Sequence, residues 1–323
     1  MNISSKGSAL SLAIEVTQLK KHYRGAATPA LNGVDFSVEA GEIFGVVGPN
    51  GAGKTTLFGC LLGHLHHEGE VLVGGIDPRE PEARRNFGYV PERLTFESWM
   101  KAQAFVGFHY DMSGQPSSAK AEAVSDALHK VGIDRADWNK KVIRFSRGNL
   151  QRLALAQAMV GRPEFLFLDE PTSGMDPLGV VRFKEIVREL AASGCTVIFN
   201  SHQLAQVQDL CSRVLFLEKG QLLQIETLAH GHLALKGRSS KLAYHVRWLE
   251  SKEAAAKVKT VAARHKVALE MDGEHSALFT VRDEAQGSQL LSLLVRAGVK
   301  VAQAGLQVKD LEQEFKRAFG RKP

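Results

Sequence analysis

One stretch of this chain restricts its fold more than any other: Gly48-Pro49-Asn50-Gly51-Ala52-Gly53-Lys54-Thr55 spells G-x-x-x-x-G-K-[ST]. It follows directly on the apolar run Ile-Phe-Gly-Val-Val at 43–47 and opens a helical pattern at 53–65. An uninterrupted apolar strand needs cover on both faces, so the strand, loop and helix together predict a parallel α/β layer. Glycines are required in the loop because successive backbone N–H groups must curl around phosphate oxygens, a path that side chains obstruct. The positive end of the following helix adds to that binding. Lys54 is expected to reach the β- and γ-phosphates and the Thr55 hydroxyl to ligate Mg²⁺. Gly48, Asn50, Gly51, Ala52, Gly53 and Thr56 complete the expected cradle.

Around this loop the chain alternates short β-rich runs with longer helical patterns. Strands are expected at 13–19, 34–38, 43–47, 70–73, 88–91, 165–168, 196–200 and 214–217, and helices at 53–65, 119–131, 148–160, 180–192 and 204–211. Residues 94–162 hold helices and no convincing strand, which reads as a helical subdomain inserted into the α/β layer. After 235 the pattern changes. A strand at 242–249, a helix at 251–265, a hairpin of 267–271 and 277–281 about Asp272-Gly273, a helix at 287–297 and a strand at 299–308 follow. That β-α-β-β-α-β order is the ferredoxin-like arrangement, and a final helix at 310–319 closes it. The expected organisation is thus a flexible tail at 1–12, an α/β nucleotide-binding domain at 13–235 and a small α+β accessory domain at 236–323.

Composition narrows the class. Of 323 residues, 44% are apolar and 24% charged, which disfavours disorder, fibrous repeats and disulfide scaffolds. No apolar run approaches the roughly 18 residues of a transmembrane helix, and the first twelve residues lack the features of a secretory signal. A cytoplasmic location is expected. Cys60, Cys195 and Cys211 sit in apolar contexts without metal-ligand spacing and read as buried thiols. The net charge of +6 is uneven: residues 1–235 carry 24 Lys+Arg against 25 Asp+Glu, residues 236–323 carry 17 against 10. The main domain is therefore near neutral, which argues against nucleic acid as its partner, and the basic excess lies wholly in the C-terminal segment.

A phosphate loop alone leaves kinases, GTPases and transport ATPases open. The run Phe-Leu-Phe-Leu at 165–168 ends in Asp169-Glu170, two carboxylates at the end of a buried strand. Asp169 is positioned for the Mg²⁺ shell and Glu170 to polarise an attacking water, because successive strand residues point in opposite directions. Upstream, Phe145-Ser146-Arg147-Gly148-Asn149-Leu150-Gln151-Arg152 opens a helix. This segment resembles the signature motif of ATP-binding cassette ATPases, with Arg147 and Asn149 where glycine and glutamine are commoner. The order of phosphate loop, signature, Asp-Glu strand, Ser173-Gly174-Met175-Asp176 and finally His202 in Asn-Ser-His is that of the same family and spans 13–235.

The resemblance implies a set of roles. Tyr23 matches the aromatic residue that stacks on adenine, and Glu92 in Gly-Tyr-Val-Pro-Glu stands where the family usually has a glutamine that contacts Mg²⁺ and senses the γ-phosphate. A carboxylate there still ligates a hard cation but adds negative charge beside the phosphates. Asp176 resembles the residue coupling two active sites, and His202 the switch histidine that contacts the γ-phosphate. Such cassettes act as head-to-tail dimers, so ATP would lie between the loop at 48–55 of one subunit and Ser146, Gly148 and Asn149 of the other. A second, identical cassette and an integral membrane transporter subunit are the implied partners, with the chain peripheral on the cytoplasmic face of the membrane. Phe96, Trp99, Met100 and Phe105 form an aromatic-rich stretch suited to a short partner helix or to the subdomain's own core. The C-terminal segment is similar to the accessory tail of bacterial exporter cassettes, which implies an ATP-hydrolysing exporter subunit. The alternative within the family, a non-transport ATPase acting on nucleic acid or the ribosome, lacks its usual second cassette or long coiled-coil insertion here.

Overall fold

The computed structural model describes residues 12–97, 99–228, 242–249, 253–282 and 284–306, and beyond them Leu311, Phe315, Ala318 and Phe319. They fall into two compact units, the first holding 12–228 with those four late residues and the second holding 242–306. The tail expected at 1–12 lies outside the described residues except for Leu12.

In the first unit, β1 (Leu12–Lys21) and β2 (Leu31–Glu39) precede β3 (Ile43–Val47), α1 (Lys54–Leu61) and β4 (Glu68–Val73). β1, β2 and β4 pair in an antiparallel sheet of order β2-β1-β4. After α2 (Pro81–Arg84) and β5 (Phe87–Val90), the chain leaves the α/β layer for α3 (Ala102–Met112), α4 (Lys120–Lys130) and α5 (Arg147–Met159). It returns through β6 (Phe165–Asp169), α6 (Pro177–Ala192), β7 (Thr196–Asn200), α7 (Leu204–Leu210), β8 (Arg213–Glu218) and β9 (Gln221–Thr227). The central sheet has the order β5-β6-β7-β3-β8-β9, parallel throughout except for β9.

Every residue of β3, β6 and β7 is buried, as their apolar runs require. Alternate residues face two cores. Leu166, Leu168, Val197 and Phe199 pack toward α3 to α7, while Phe165, Phe167, Ile198 and Phe44 pack toward α1 and the antiparallel sheet. The parallel strands therefore end together at one edge, where the loops after β3 and β6 meet. No strand was expected at 221–227, because β9 is a half-exposed edge strand without an apolar run. Its signal is the tight turn at Lys219-Gly220, both residues left-handed at φ 48° and 76°.

The second unit runs β10 (Leu242–Trp248), α8 (Ala254–Arg264), β11 (Ala268–Met271), β12 (Ser276–Val281), α9 (Glu284–Arg296) and β13 (Val301–Leu306). Its sheet has the order β11-β12-β10-β13 with every pair antiparallel, the topology of a split βαβ unit. Tyr244, Val246, Trp248, Ala277, Phe279 and Val281 alternate inward and meet Val258, Val261, Leu290 and Leu294 of the helices.

The closing helix expected at 310–319 requires correction. Its described residues belong to the first unit: Leu311 is fully buried in that core, with Phe315, Ala318 and Phe319 packed against it. Phe319 lies 5.9 Å from Phe216 of β8, centroid to centroid, and the Leu311 N–H donates to Gln208 Oε1 at 3.3 Å. The i, i+4, i+8 stripe of Leu311, Phe315 and Phe319 makes one apolar helical face, and that face is satisfied by β8 and α7. Among the described residues no helix is long and apolar enough to cross a membrane. The three cysteines are buried and free, and burial pushes the Cys60 and Cys195 thiols up to about 11 and about 12.

Candidate nucleotide-binding site

The loop between β3 and α1 opens onto a cavity of about 680 Å³. Gly53 caps α1 in a left-handed conformation at φ 106°, and a Cβ there would lie 2.6 Å from the Ala30 carbonyl oxygen. Only glycine fits both conditions. No side chain caps the first turn of α1, so its N–H groups face the cavity mouth without a local acceptor. Lys54 curls over the loop, donating from Nζ to the carbonyls of Gly48 at 2.7 Å and Pro49 at 3.1 Å. Burial holds its ammonium below the usual lysine range, with Glu170, Asp169 and Glu92 pulling it back up. Those three carboxylates therefore face the same space as Lys54.

Behind the loop, β6 delivers Asp169, buried and bonded to Asn200 Nδ2 of the neighbouring β7 at 2.5 Å. Burial raises its carboxyl pKa, the Asn200 bond opposing. Glu170 follows with φ 49°, a conformation uncommon for a residue with a side chain. Its N–H donates to the Asn200 carbonyl at 3.0 Å, which holds the turn. The Glu170 carboxylate meets His202 twice, accepting from its N–H at 2.8 Å and lying 2.7 Å from Nδ1. An ionised carboxylate at that nitrogen keeps the proton on Nδ1 and leaves Nε2 to face solvent. Burial raises the Glu170 pKa and the contact with His202 opposes it, which moves the group toward the range of a general base.

The cavity wall brings together Asn50, Gly51, Ala52, Gly53, Lys54, Thr55, Thr56, Glu92, Glu170 and His202 from four separate segments. Tyr23 stands beside this wall, its hydroxyl 3.4 Å from Thr56 Oγ1 and its ring exposed. Gly48 and Asp169 support the wall from behind. Ser146, Gly148, Asn149 and Asp176 do not line the cavity of their own chain. Ser146 caps α5, accepting from the Asn149 N–H, and Asp176 caps α6, accepting from the Gly179 N–H at 2.8 Å.

Ala30, Arg93 and Asn200, which sequence reasoning passed over, line the cavity, as do Ser173 of the 173–176 motif and Arg147, which the sequence leaves open between a phosphate contact and a solvated side chain. Asn200 had a readable signal, since it precedes Ser-His at the end of an apolar strand beside the Asp-Glu strand. Its Oδ1 is buried and has no hydrogen-bond partner among the described residues. With Asp169, Glu92 and the Thr55 hydroxyl, that oxygen makes an all-oxygen set of the kind a hydrated hard cation prefers. The aromatic stretch near Glu92 divides: Phe105 is buried, Phe96 and Met100 pack on the core, and only Trp99 is exposed, at 68%. Three of those four residues are thus core.

The sequence matches a family model described as ABC transporter over residues 31–173. It is 34% identical to the fluoroquinolones export ATP-binding protein Rv2688c of Mycobacterium tuberculosis, across 72% of this chain and 76% of that one. The chain belongs to the ABC transporter family. A second relative, the uncharacterized ABC transporter ATP-binding protein all4389 of Nostoc, is 37% identical over 65% of this chain and spans 65% of that protein's length. Among solved structures, the dimeric bacterial ABC transporter cassette MJ0796 superposes with a TM-score of 0.62, covering 66% of this chain and 98% of that one at 22% identity. The cassette fold of the first unit follows from that likeness.

Proposed function

We propose that this ABC chain is the ATP-hydrolysing subunit of a membrane exporter, acting as a head-to-tail dimer at the cytoplasmic face of the membrane. The observation that carries the reading is the Glu170–His202 pair, 2.7 Å apart at the mouth of a glycine-lined phosphate cradle. ATP enters with its phosphates on the N–H groups of the 48–55 loop and Lys54, and Tyr23 lies beside Thr56 to meet the base. Glu170 takes a proton from a water as that water attacks the γ-phosphorus, and the bond to the bridging oxygen breaks to release ADP and phosphate. His202 holds the Glu170 carboxylate in place and offers Nε2 toward the terminal phosphate. Thr55, Asp169 and Glu92 would hold Mg²⁺, which when bound supplies charge neutralisation at the β- and γ-oxygens.

Ser146, Gly148, Asn149 and Asp176 lie outside their own chain's cavity and fit the second half of a site completed by another copy. The dimeric state named for MJ0796 supports that reading, and the export function named for Rv2688c supports the direction. A separate membrane subunit would supply the substrate path.

Two dead variants test the arrangement. Lys54→Ala should lose nucleotide affinity, and Ser146→Arg should bind ATP yet not hydrolyse it. Mixing the two should restore partial hydrolysis, because one composite site in each mixed dimer is intact. A mixture as inactive as its parents would overturn the head-to-tail assignment, and wild-type ATP affinity in Lys54→Ala would overturn the cradle. Co-purification of a stoichiometric polytopic protein from gently solubilised membranes tests the transport partner, and recovery with ribosomes or nucleic acid instead would shift the function.

A further inference from the structure

The signature segment has an arginine where the family's commoner pattern has glycine, and the structure assigns that side chain a contact within its own chain. Arg147, the first residue of α5, donates from Nη2 to Ser173 Oγ at 2.8 Å. Two further residues of the same helix reach the same loop: Gln151 Nε2 donates to the Ser173 carbonyl at 3.3 Å, and Arg152 Nη2 to Asp176 Oδ1 at 3.1 Å. Arg147 and Gln151, four residues apart, share one face of α5, and Arg152 reaches the same loop from the adjoining position. The loop is shaped to receive the arginine. Gly174 is left-handed at φ 82°, and a Cβ on it would lie 2.6 to 2.9 Å from Cδ, Nε and Cγ of Arg147. The arginine stem therefore lies against Gly174, where a Cβ would push it aside and the left-handed backbone already disfavours a side chain.

This clasp continues to the reacting groups. The Ser173 N–H donates to the Glu170 carbonyl at 3.3 Å, and the Glu170 carboxylate holds His202. Both Arg147 and Ser173 line the cavity wall. Hydrogen bonds joined through Ser173 and Glu170 themselves thus link the N-terminus of α5 to the base, and a glycine at 147 would leave the first of them unmade.

We propose that Arg147 is a positioning residue that fastens the start of α5 to the 173–176 loop, so that contact of α5 with nucleotide held by the other subunit adjusts Glu170 in its own. The inference rests on the dimeric ATPase reading above. It requires that the loop have two arrangements which the α5 contact biases, as any coupling between sites does.

The test compares Arg147→Ala, Arg147→Lys, Ser173→Ala and the Arg147→Ala/Ser173→Ala double variant in the full chain. In the nucleotide-free protein, amide exchange across 173–176 should rise roughly three- to tenfold in Arg147→Ala, the range for loss of one exposed charge-assisted bond. In ATP hydrolysis, KM should stay within about twofold while kcat falls roughly five- to tenfold and cooperativity toward ATP declines. Arg147→Lys should recover most of kcat, since an ammonium reaches the same hydroxyl. The double variant should be no worse than either single one, because the two residues act through one bond. Unchanged exchange in Arg147→Ala overturns the clasp. Additive losses, or a rise in KM with kcat intact, overturn the positioning role and make Arg147 a direct phosphate ligand. A wild-type chain without ATP hydrolysis overturns the functional reading and the coupling with it, and the nucleotide-free exchange result separates that failure from a failure of the clasp.

Discussion

Replacing Leu311 by alanine should destabilise the nucleotide-binding unit and leave the 242–306 unit untouched. The side chain is fully buried in the core that also contains Phe216, Val207 and Leu210. Truncating a buried leucine costs about 2–5 kcal/mol, part lost transfer energy and part the cavity left behind. Where neighbouring side chains relax into the gap the lower part of that range applies, about 2–3 kcal/mol. A unit of this size has a urea slope near the top of the range of about 1–3 kcal/mol per molar, so the midpoint should fall by about 1 M. Tryptophan reports each unit separately. Trp99 and Trp138 belong to the first unit and Trp248 to the second, and these are the three tryptophans of the chain. In a Trp248→Phe background the fluorescence midpoint should drop, while with Trp99 and Trp138 replaced the Trp248 midpoint should hold. The reverse pattern, a shifted Trp248 transition and a fixed first one, would refute the assignment of the terminal helix to the nucleotide-binding core.

Glu170→Gln should retain ATP binding and lose hydrolysis by about 10²- to 10⁴-fold, the usual worth of a positioned base, measured by single-turnover assay. Because burial raises the Glu170 pKa, the wild-type rate should fall with acidification from a pH above the ordinary carboxylate range, as the base becomes protonated. A pH–rate profile of wild type with no acid limb there would remove Glu170 from that role. Glu92→Gln takes one of three carboxylates from beside Lys54 and should tighten ATP binding at low Mg²⁺ by roughly three- to tenfold, read by equilibrium titration. Glu42 is fully buried and paired with Arg213 at 3.1 Å and Ser212 at 2.9 Å, so Glu42→Ala should cost about 3 kcal/mol in denaturant unfolding by leaving the guanidinium with the Ser37 carbonyl and no counter-charge. A loss below about 1 kcal/mol would mean that water and the Ser37 carbonyl suffice for Arg213.

The sheet and the cradle were legible because each is dictated by local chemistry. The runs at 43–47, 165–168 and 196–200 announce strands covered on both faces, since no other setting buries every residue of a strand. The 48–55 loop is readable because a backbone wrapped around phosphate tolerates glycine at fixed spacing and little else. Asp169 and Glu170 follow as the polar end of a buried run.

What the residue order left open depends on contacts between distant segments. The 2.7 Å meeting of Glu170 with His202 joins residues 32 positions apart, and the Arg147–Ser173 bond joins residues 26 apart. Nothing local to Arg147 distinguishes a phosphate ligand, a solvated cation and a loop anchor; the glycine that receives it does. The apolar stripe of Leu311, Phe315 and Phe319 likewise determines which face is buried, yet three hydrophobic cores were available to take it. Periodicity encodes the need for cover, whereas the choice of cover belongs to the tertiary structure, because burial energy depends on area and fit and carries no record of sequence separation.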